Sequence, residues 1–485
     1  MRRRHFLKTV AAGAAALAAP GCLAMAGAPA RRKPNVVLVL VDDLGWTDSS
    51  TYGSRYYETP HLSRLAAEGM TFTGGYAACA VCSPTRAAVM TGRWPARLGV
   101  TDWIRARFQG GTIPDDHEPP SGWWSRPDFK LRCPKNALWL NLSEITLAEA
   151  LKPAGYTSCH IGKWHLGADP WYPDRQGFDY NIGGCDYGQP PSYFDPYRSK
   201  RQGQIPTIEP QKEGEYLTDR EGDEAAAFIR RHADGPFFLY MAHYAVHTPI
   251  QAKKDLIEKY KAKEASERHA NATYAAMIES VDAALGKILT ALADTGTAEN
   301  TLVIFTSDNG GLVPVTRNTP LRSGKGFPYE GGIREPLVVR WPGVVRPGSR
   351  CDVPVTSVDY FPTVCEAAGV PLPADRPIDG ESILPLLEGT GSLKRDAIYW
   401  HFPHYRQGHR VPPYSIIRRG DWKLIRWHEG PSWELYNLAD DLSEETDLAG
   451  EMPDRVKVLD ARLMAHLRDV GAKMPEPNPD YKPKA

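Results

Sequence analysis

Asn35-Val36-Val37-Leu38-Val39-Leu40-Val41-Asp42-Asp43 is the stretch that sets the architecture. From Val36 to Val41 every residue is apolar and none alternates with a polar one. A half-buried strand would alternate, so this one must be covered on both faces, as in the middle of a parallel sheet. It ends abruptly in two adjacent carboxylates. Carboxylates next to a buried strand are costly unless they meet water or a cation. In open α/β sheets, ligands bind just beyond the carboxyl ends of the strands. Taken alone, Asp42-Asp43-Leu44-Gly45 also fits a solvated turn.

Working outward, the same pattern recurs. A strand around Tyr156 to Ile161 ends in Gly162-Lys163-Trp164-His165-Leu166-Gly167, and Lys163 and His165 read as cationic lining. Pro236 to Met241 is a buried strand followed by His243 and His247-Thr248-Pro249. Thr301 to Thr306 is another, ending in Ser307-Asp308-Asn309-Gly310-Gly311. Lys325-Gly326 follows, and Pro336 to Pro342 reads as one more strand. Between them lie helical segments. Thr59-Pro60 opens a helix that Gly69 closes, Ile145 to Leu151 is a second, and Asn271 to Ala293 carries a long apolar stripe at helical spacing. That stripe, Tyr274 included, reads as core packing alone. Strand and helix alternation predicts a doubly wound α/β domain. The oxygen donors Asp42, Asp43, Asp308 and Asn309 suit Ca²⁺ or Mg²⁺ better than zinc.

Near residue 390 the pattern changes to short strands with tight turns. Ala397 to Phe402, Tyr414 to Arg418, Trp422 to Trp427 and Trp433 to Tyr436 predict an antiparallel meander. A helix from Pro453 to Val470 follows, and the Pro-rich tail from Met474 is expected to be extended or loose. At the other end, Arg3-Arg4-His5-Phe6-Leu7-Lys8 precedes an Ala-rich apolar run, the pattern of a secretion signal. The paired arginines resemble a twin-arginine signal, which exports folded proteins in bacteria. Gly21-Cys22 is a poor match to a lipid attachment site. The expected division is therefore a signal over 1–30, a catalytic α/β domain over 31–388 and a C-terminal antiparallel-sheet unit over 389–485. Lys+Arg and Asp+Glu balance at 58 each, so nothing in the charge argues for a nucleic-acid partner. The eight cysteines are widely and irregularly spaced, unlike a small disulfide scaffold.

Cys82-Ser83-Pro84-Thr85-Arg86 reads as a turn into a helix. Pro84 suits a first helical turn, and backbone N–H groups at a helix N-terminus favour negative charge. Arg86 returns to the face of Cys82, which makes an anion site; a buried Cys at a helix cap fits the same residues. The string Cys-x-Pro-x-Arg, continued by Thr91-Gly92-Arg93, resembles the signature of the sulfatases, in which the Cys is oxidised to formylglycine. The strand-end motifs quoted above coincide with the sulfatase pattern too.

The resemblance implies an alkaline phosphatase-like fold: a large mixed sheet flanked by helices, with a smaller C-terminal antiparallel sheet and helix. It implies that Asp42, Asp43, Asp308, Asn309 and the modified Cys82 bind Ca²⁺, with Mg²⁺ as the alternative. It places Arg86, Lys163, His165, His247 and Lys325 at sulfate-binding and catalytic positions. His247 with Lys325 would protonate the leaving alcohol, and His165 would act as the base that releases sulfate. A sulfuric ester hydrolase follows, acting on an aryl sulfate or, more in keeping with its loops, a sulfated glycan. Those loops carry Trp103, Arg105, Arg107, Trp123, Trp124 and Trp139, the Tyr- and Pro-rich stretch from Cys185 to Tyr197, and His401, His404, Tyr405, Arg406 and His409. Aromatic and cationic side chains at a site mouth suit a sulfated sugar, although loop tryptophans also serve as packing anchors. The partners implied are a formylglycine-generating or sulfatase-maturing enzyme and the twin-arginine export machinery, with a periplasmic or extracellular location. The competing expectations are a phosphodiester or phosphonate monoester hydrolase of the same fold, and a non-catalytic secreted glycan-binding protein.

Overall fold

A large mixed sheet is built around β1 (Asn35–Val41), all seven residues of which are buried. In the computed structural model, residues 32–114, 117–266, 268–406, 411–430 and 432–483 are described. The expected signal over 1–30, with Cys22, and His409 lie outside them. Further strands are β2 (Met70–Tyr76), β3 (Thr157–Gly162), β4 (Phe237–Ala242), β5 (Thr301–Ser307) and β6 (Arg334–Arg340). The strand order across the sheet is β2-β6-β5-β1-β4-β3, extended by short strands at both edges. β1 pairs in parallel with β5 and β4, and β4 in parallel with β3.

The continuous apolar run of β1 has the cause that its composition suggests. Val37, Val39 and Val41 enter one core cluster, and Val36, Leu38 and Leu40 enter another, all fully buried. Helices cover both faces, and each such side chain contributes about 1.5–3 kcal/mol by leaving water. On the first face, α3 (Leu217–Arg231) and α4 (Ala272–Asp294) supply Phe228, Ile229, Met277, Val281 and Leu285. On the second, α2 (Cys82–Thr91) and α5 (Tyr360–Ala368) supply Val89, Met90, Phe361 and Val364. α1 (Pro60–Glu68) opens with Pro at its first turn, as expected.

β6 runs antiparallel to β5, so the sheet is mixed, as the resemblance implies. Two features differ from the sequence expectations. β2 was not foreseen, because Met-Thr-Phe-Thr-Gly-Gly-Tyr has too few apolar residues to read as a core strand. Its Gly75 is required by a neighbour: a Cβ there would lie 2.8 Å from Leu337 Cβ and 2.9 Å from Glu335 O. The C-terminal tail is pinned, with Glu476–Pro477 pairing with Leu131 and Arg132. Asn478 Nδ2 also donates to the Arg126 and Phe129 carbonyls at 2.8 Å.

The C-terminal meander is a four-stranded antiparallel sheet of β7 (Ala397–Phe402), β8 (Tyr414–Arg419), β9 (Trp422–Trp427) and β10 (Ser432–Asn437). One face packs on α6 (Pro453–Asp469) through Ile417, Leu424, Leu435, Leu459 and Leu463. The other face carries Trp400, Phe402, Ile416 and Ile425 against Ala78, Cys79, Ala80 and Val81. Trp400 Nε1 donates to Ala77 O at 2.7 Å. The small sheet is thus the backing of the segment that leads into Cys82.

Lys423 of β9 anchors that backing. It is fully buried and contacts Glu330 at 3.0 Å and Glu444 at 2.7 Å, both also buried. Removing one partner of a buried charge network leaves uncompensated charge and costs about 3–5 kcal/mol. Lys423→Ala should therefore lower the urea midpoint of unfolding by that equivalent, and an unchanged midpoint would contradict the role given to this network.

Candidate functional site

The carboxyl ends of β5, β1, β4 and β3 lie side by side, and the polar residues that follow each strand lie in the same order. Asp308 N donates to Val41 O, His243 N to Leu40 O, and Lys163 N to Ala242 O. The strand register therefore delivers Asp308 and Asn309, then Asp42 and Asp43, then His247, then Lys163 and His165, to one edge. Two of these residues adopt the left-handed backbone region, Asp43 at φ 60° and His165 at φ 58°. Non-glycine residues are rare there, and such strain gathers at functional sites. Gly162 sits at φ 92° and could not carry a side chain, since a Cβ would meet Ala242 O at 2.1 Å.

Cys82 is the first residue of α2, and every residue of that helix is buried. Its N-terminal loop is tied down by Thr85, whose hydroxyl donates to Cys79 O at 3.0 Å and accepts from Cys79 N at 3.1 Å. Burial pushes the Cys82 thiol up, although Lys163 and Lys325 pull it down. The side chain is therefore a neutral thiol, not a thiolate nucleophile. Cys79 is a free, buried thiol, pushed up to about 12 by burial.

Arg86, one turn on from Cys82, is fully buried. Its Nε donates to Asp308 Oδ2 at 2.9 Å, and one terminal nitrogen lies 2.7 Å from the same oxygen. The other terminal nitrogen donates to Lys163 O at 2.8 Å. Lys163 Nζ donates to Asp42 Oδ2 at 2.6 Å, and Lys325 Nζ to Asp43 Oδ1 at 2.5 Å. Asn309 Nδ2 donates to the same Asp43 oxygen at 2.8 Å. Burial pushes Asp42 up to about 8, with Asp308 adding to it against Lys163 and Arg86. Asp43 is also buried, but Lys325 and His247 hold it well below the usual carboxylate range.

Among the described residues, three oxygens in this ring have no hydrogen-bond partner: Asp42 Oδ1, Asp43 Oδ2 and Asn309 Oδ1. Asp42, Asp43 and His247 offer ligand atoms all within 4.8 Å of one another. Buried unpaired oxygens are costly in a native fold, and two carboxylates with a carboxamide form a hard donor set. The residues fit a divalent cation.

The histidines have defined tautomers. His165 Nε2 donates to Ile104 O at 2.7 Å, which leaves Nδ1 as the bare nitrogen, without a partner. Its carbonyl accepts from Ser83 Oγ at 2.9 Å. Gly188 packs on the ring, where a Cβ would come within 2.6 Å. His247 Nδ1 donates to Thr248 O at 2.9 Å, so Nε2 faces Asp43 Oδ2, 3.6 Å away. Burial lowers both histidines, with Lys163 next for His165 and Lys325 next for His247, which falls to about 3.

Cys82, His165, His247 and Lys325 line one cavity of about 200 Å³, with Val81, Trp103, Gln109, Gly188 and Gln189 completing its wall. An adjoining cavity of about 310 Å³ shares Trp103 and is lined by Arg105, Trp124, Lys135, His404 and Tyr405. Other loop residues singled out in the sequence lie elsewhere. Trp139 stacks on Trp171 at 4.2 Å, Trp123 lies under Arg132, and Arg107 donates to Asp169 O. His401 is held by Ser415 and the Lys473 carbonyl. Gln109, Gly188 and Gln189 had no signal of their own in the sequence. Tyr274 did more than the packing expected of it: its hydroxyl donates to Asp48 Oδ2 at 2.8 Å and to Asp43 O at 3.1 Å. A phenol among aliphatic stripe residues was the available hint.

The profile of the sulfatase family matches residues 34–370. The chain belongs to the sulfatase family. A second profile, described as N-sulphoglucosamine sulphohydrolase, C-terminal, matches residues 323–473. A sulfatase of Formosa agariphila is 35% identical, the alignment covering 90% of this chain and 87% of that one. The N-acetylgalactosamine-6-sulfatase of Rattus norvegicus is 34% identical, over 95% of this chain and 84% of that one. Among solved structures, Ps i-CgsB in complex with k-i-k-neocarrahexaose superposes with a TM-score of 0.77 at 28% identity, covering 94% and 96% of the two chains. This sulfatase is accordingly a sulfuric ester hydrolase with an alkaline phosphatase-like fold.

Because burial holds His165 neutral, its ring should not titrate between pH 5 and 8. Nitrogen-15 histidine spectra of the full chain should show one Nε2–H tautomer across that range, and a midpoint near 6.5 would contradict the burial described.

Proposed function

We propose that the sulfatase hydrolyses a sulfate ester of a carbohydrate, using a formylglycine made from Cys82 and a Ca²⁺ ion held by Asp42, Asp43, Asp308 and Asn309. The observation that carries this reading is the cavity itself. It gathers Cys82, two histidines and Lys325 directly above a ring of carboxylates with unpaired oxygens. The names of the relatives support a sugar, since one is an N-acetylgalactosamine-6-sulfatase and another was solved with k-i-k-neocarrahexaose.

When present, the formylglycine hydrate supplies a hydroxyl nucleophile and a second hydroxyl through which sulfate can be expelled, while Ca²⁺ offsets negative charge. The chain's own residues do the remaining work. Lys163 is anchored on Asp42 at 2.6 Å and Lys325, which lines the cavity, on Asp43 at 2.5 Å, and both offset charge on the sulfate oxygens. Arg86 fixes Asp308 and the Lys163 backbone, so the floor cannot shift as charge develops. The bare Nδ1 of His165 is oriented to accept a proton. The departing alcohol takes its proton from the Lys325 ammonium, relayed through the bare Nε2 of neighbouring His247.

Because Cys82 and its neighbours are buried throughout α2, a maturing enzyme can reach them only in the unfolded chain. Conversion before folding, then export of the folded protein through the twin-arginine machinery to the periplasm or beyond, is the order that this burial supports. Among the described residues no helix is long and apolar enough to cross a membrane.

Cys82→Ala should fold normally by circular dichroism and lose at least about 1,000-fold in sulfate release, as expected for removal of a nucleophile. Turnover near that of the wild type would overturn the assignment. The wild type, matured in a host that makes formylglycine, should hydrolyse 4-nitrophenyl sulfate far faster than an aryl phosphodiester. The reverse preference would favour a phosphodiester or phosphonate hydrolase.

A further inference from the structure

Ser83 stands at a position that the string Cys-x-Pro-x-Arg leaves open. It is fully buried, as are its two partners, Ile104 and His165. Its hydroxyl accepts from Ile104 N at 2.9 Å and donates to His165 O at 2.9 Å. His165 Nε2 in turn donates to Ile104 O at 2.7 Å. The three bonds close a ring in which every direction is fixed. A backbone N–H only donates and a carbonyl only accepts, so the single hydroxyl hydrogen points to His165 O. Ile104 O then takes its hydrogen from Nε2, and Nδ1 is left bare, with no partner among the described residues.

The same ring holds a strained residue. His165 has φ 58°, in the left-handed region, which a non-glycine residue keeps only where its surroundings over-determine it. Its N–H donates to Cys185 O at 3.0 Å, and its carbonyl is held by Ser83. Gly188 confines the imidazole, since a Cβ there would lie 2.6 Å from Cε1. Ser83 and Arg86 are three residues apart, on one face of α2, and Arg86 donates to Lys163 O at 2.8 Å. One face of the helix that begins at Cys82 therefore grips two carbonyls of Lys163-Trp164-His165. The residue after the nucleophile position is the one that ties down His165.

We propose that Ser83 is a positioning residue for His165: its hydroxyl fixes the ring orientation and tautomer that keep Nδ1 free to act as the base in sulfate release. This rests on the sulfatase reading with formylglycine at position 82. In that step His165 Nδ1 takes the proton of the second hydroxyl on the formylglycine carbon, the O–H electron pair forms the aldehyde C=O, and the C–O bond to sulfate breaks with sulfate keeping its pair. The alcohol departs earlier and draws its proton from Lys325 through His247, and Ser83 is hydrogen-bonded to neither. Loss of the hydroxyl should slow one step and spare the other.

The test is rapid mixing of the matured enzyme with 4-nitrophenyl sulfate, following nitrophenol and inorganic sulfate together. Because Ser83 adjoins Cys82 and its replacement can alter maturation, rates are divided by the formylglycine content found by mass spectrometry. Ser83→Ala should release its first equivalent of nitrophenol about as fast as the wild type and then turn over about a hundredfold more slowly, as a misplaced catalytic group does. Ser83→Thr, which keeps the hydroxyl, should restore most of the turnover. A second readout needs no turnover: in nitrogen-15 histidine spectra of the unmodified full chain, Ser83→Ala should populate the Nδ1–H tautomer of His165, which the wild type lacks. Equal slowing of both steps, unchanged turnover in Ser83→Ala, or an unaltered His165 spectrum would overturn the proposal. Should Ser83→Ala fail to fold, the wild type decides. Its Ile104 amide, held by Ser83, should be among the slowest to exchange with deuterium, and rapid exchange would overturn the proposal. Failure of the matured wild type to hydrolyse any sulfate ester, with the His165 spectra behaving as described, would instead count against the sulfatase reading alone.

Discussion

Everything at this site depends on holding Asp42, Asp43 and Asp308 together, away from water, at the ends of two adjacent strands. The constraint is electrostatic. Charged carboxylates at short range in a low-dielectric setting repel strongly, and burial pushes Asp42 up to about 8 even with Lys163 at 2.6 Å. Arg86, Lys163 and Lys325 each pair with a carboxylate of the ring, and three of its oxygens still have no hydrogen-bond partner among the described residues. The proposed Ca²⁺ would complete that arrangement, and its charge would favour binding of a sulfate ester above it.

The rest of the fold can be understood as support for that ring. The parallel pairing of β1 with β4 and β5 fixes which polar residues are neighbours. Tyr274, from the long helix beneath the sheet, ties the backbone of Asp43 to Asp48. Behind them lies a second buried pair, Glu221 and His243, in contact at 2.7 Å, which closes the space under the ends of β4 and β3. The C-terminal sheet contributes from the opposite side by packing against Ala78 to Val81. It sets where α2 begins and so where Cys82 points, and its Lys423 network couples its own stability to the loop that carries Lys325.

Much of this was legible in the chain because parallel strands covered on both faces leave continuous apolar runs. Where such a run stops and polar residues follow at once, as at Val41-Asp42-Asp43 or Ser307-Asp308-Asn309, the sequence exposes a strand end. The meander and α6 were equally clear from short strands and tight turns. β2 was not, because Thr and Gly replace apolar residues where the neighbouring strand crowds it at Gly75. The tail, expected to be extended or loose, pairs as an extended strand, but its partners were not legible because its hydrogen bonds go to Arg126 and Phe129, 352 and 349 residues away, and no local pattern records such a contact. Within the site, the charged groups that follow strands could be listed. Their pairing could not: that Arg86 serves Asp308, or that Arg406 crosses from the small sheet to lie on Gly326, depends on tertiary approach alone. Of the loop tryptophans, Trp103 lies between the two cavities and Trp139 is a packing anchor, a difference that composition does not encode.

The proposed chemistry requires the strand-end ring to hold a cation. That is measured by a calorimetric titration of the chelator-stripped full chain with Ca²⁺, followed by thermal unfolding with and without the ion. One equivalent should bind and the melting temperature should rise with Ca²⁺ concentration, because the ion binds only the folded chain. Both effects should be lost in Asp308→Ala. Absence of binding heat together with an unchanged melting temperature in the wild type would contradict it.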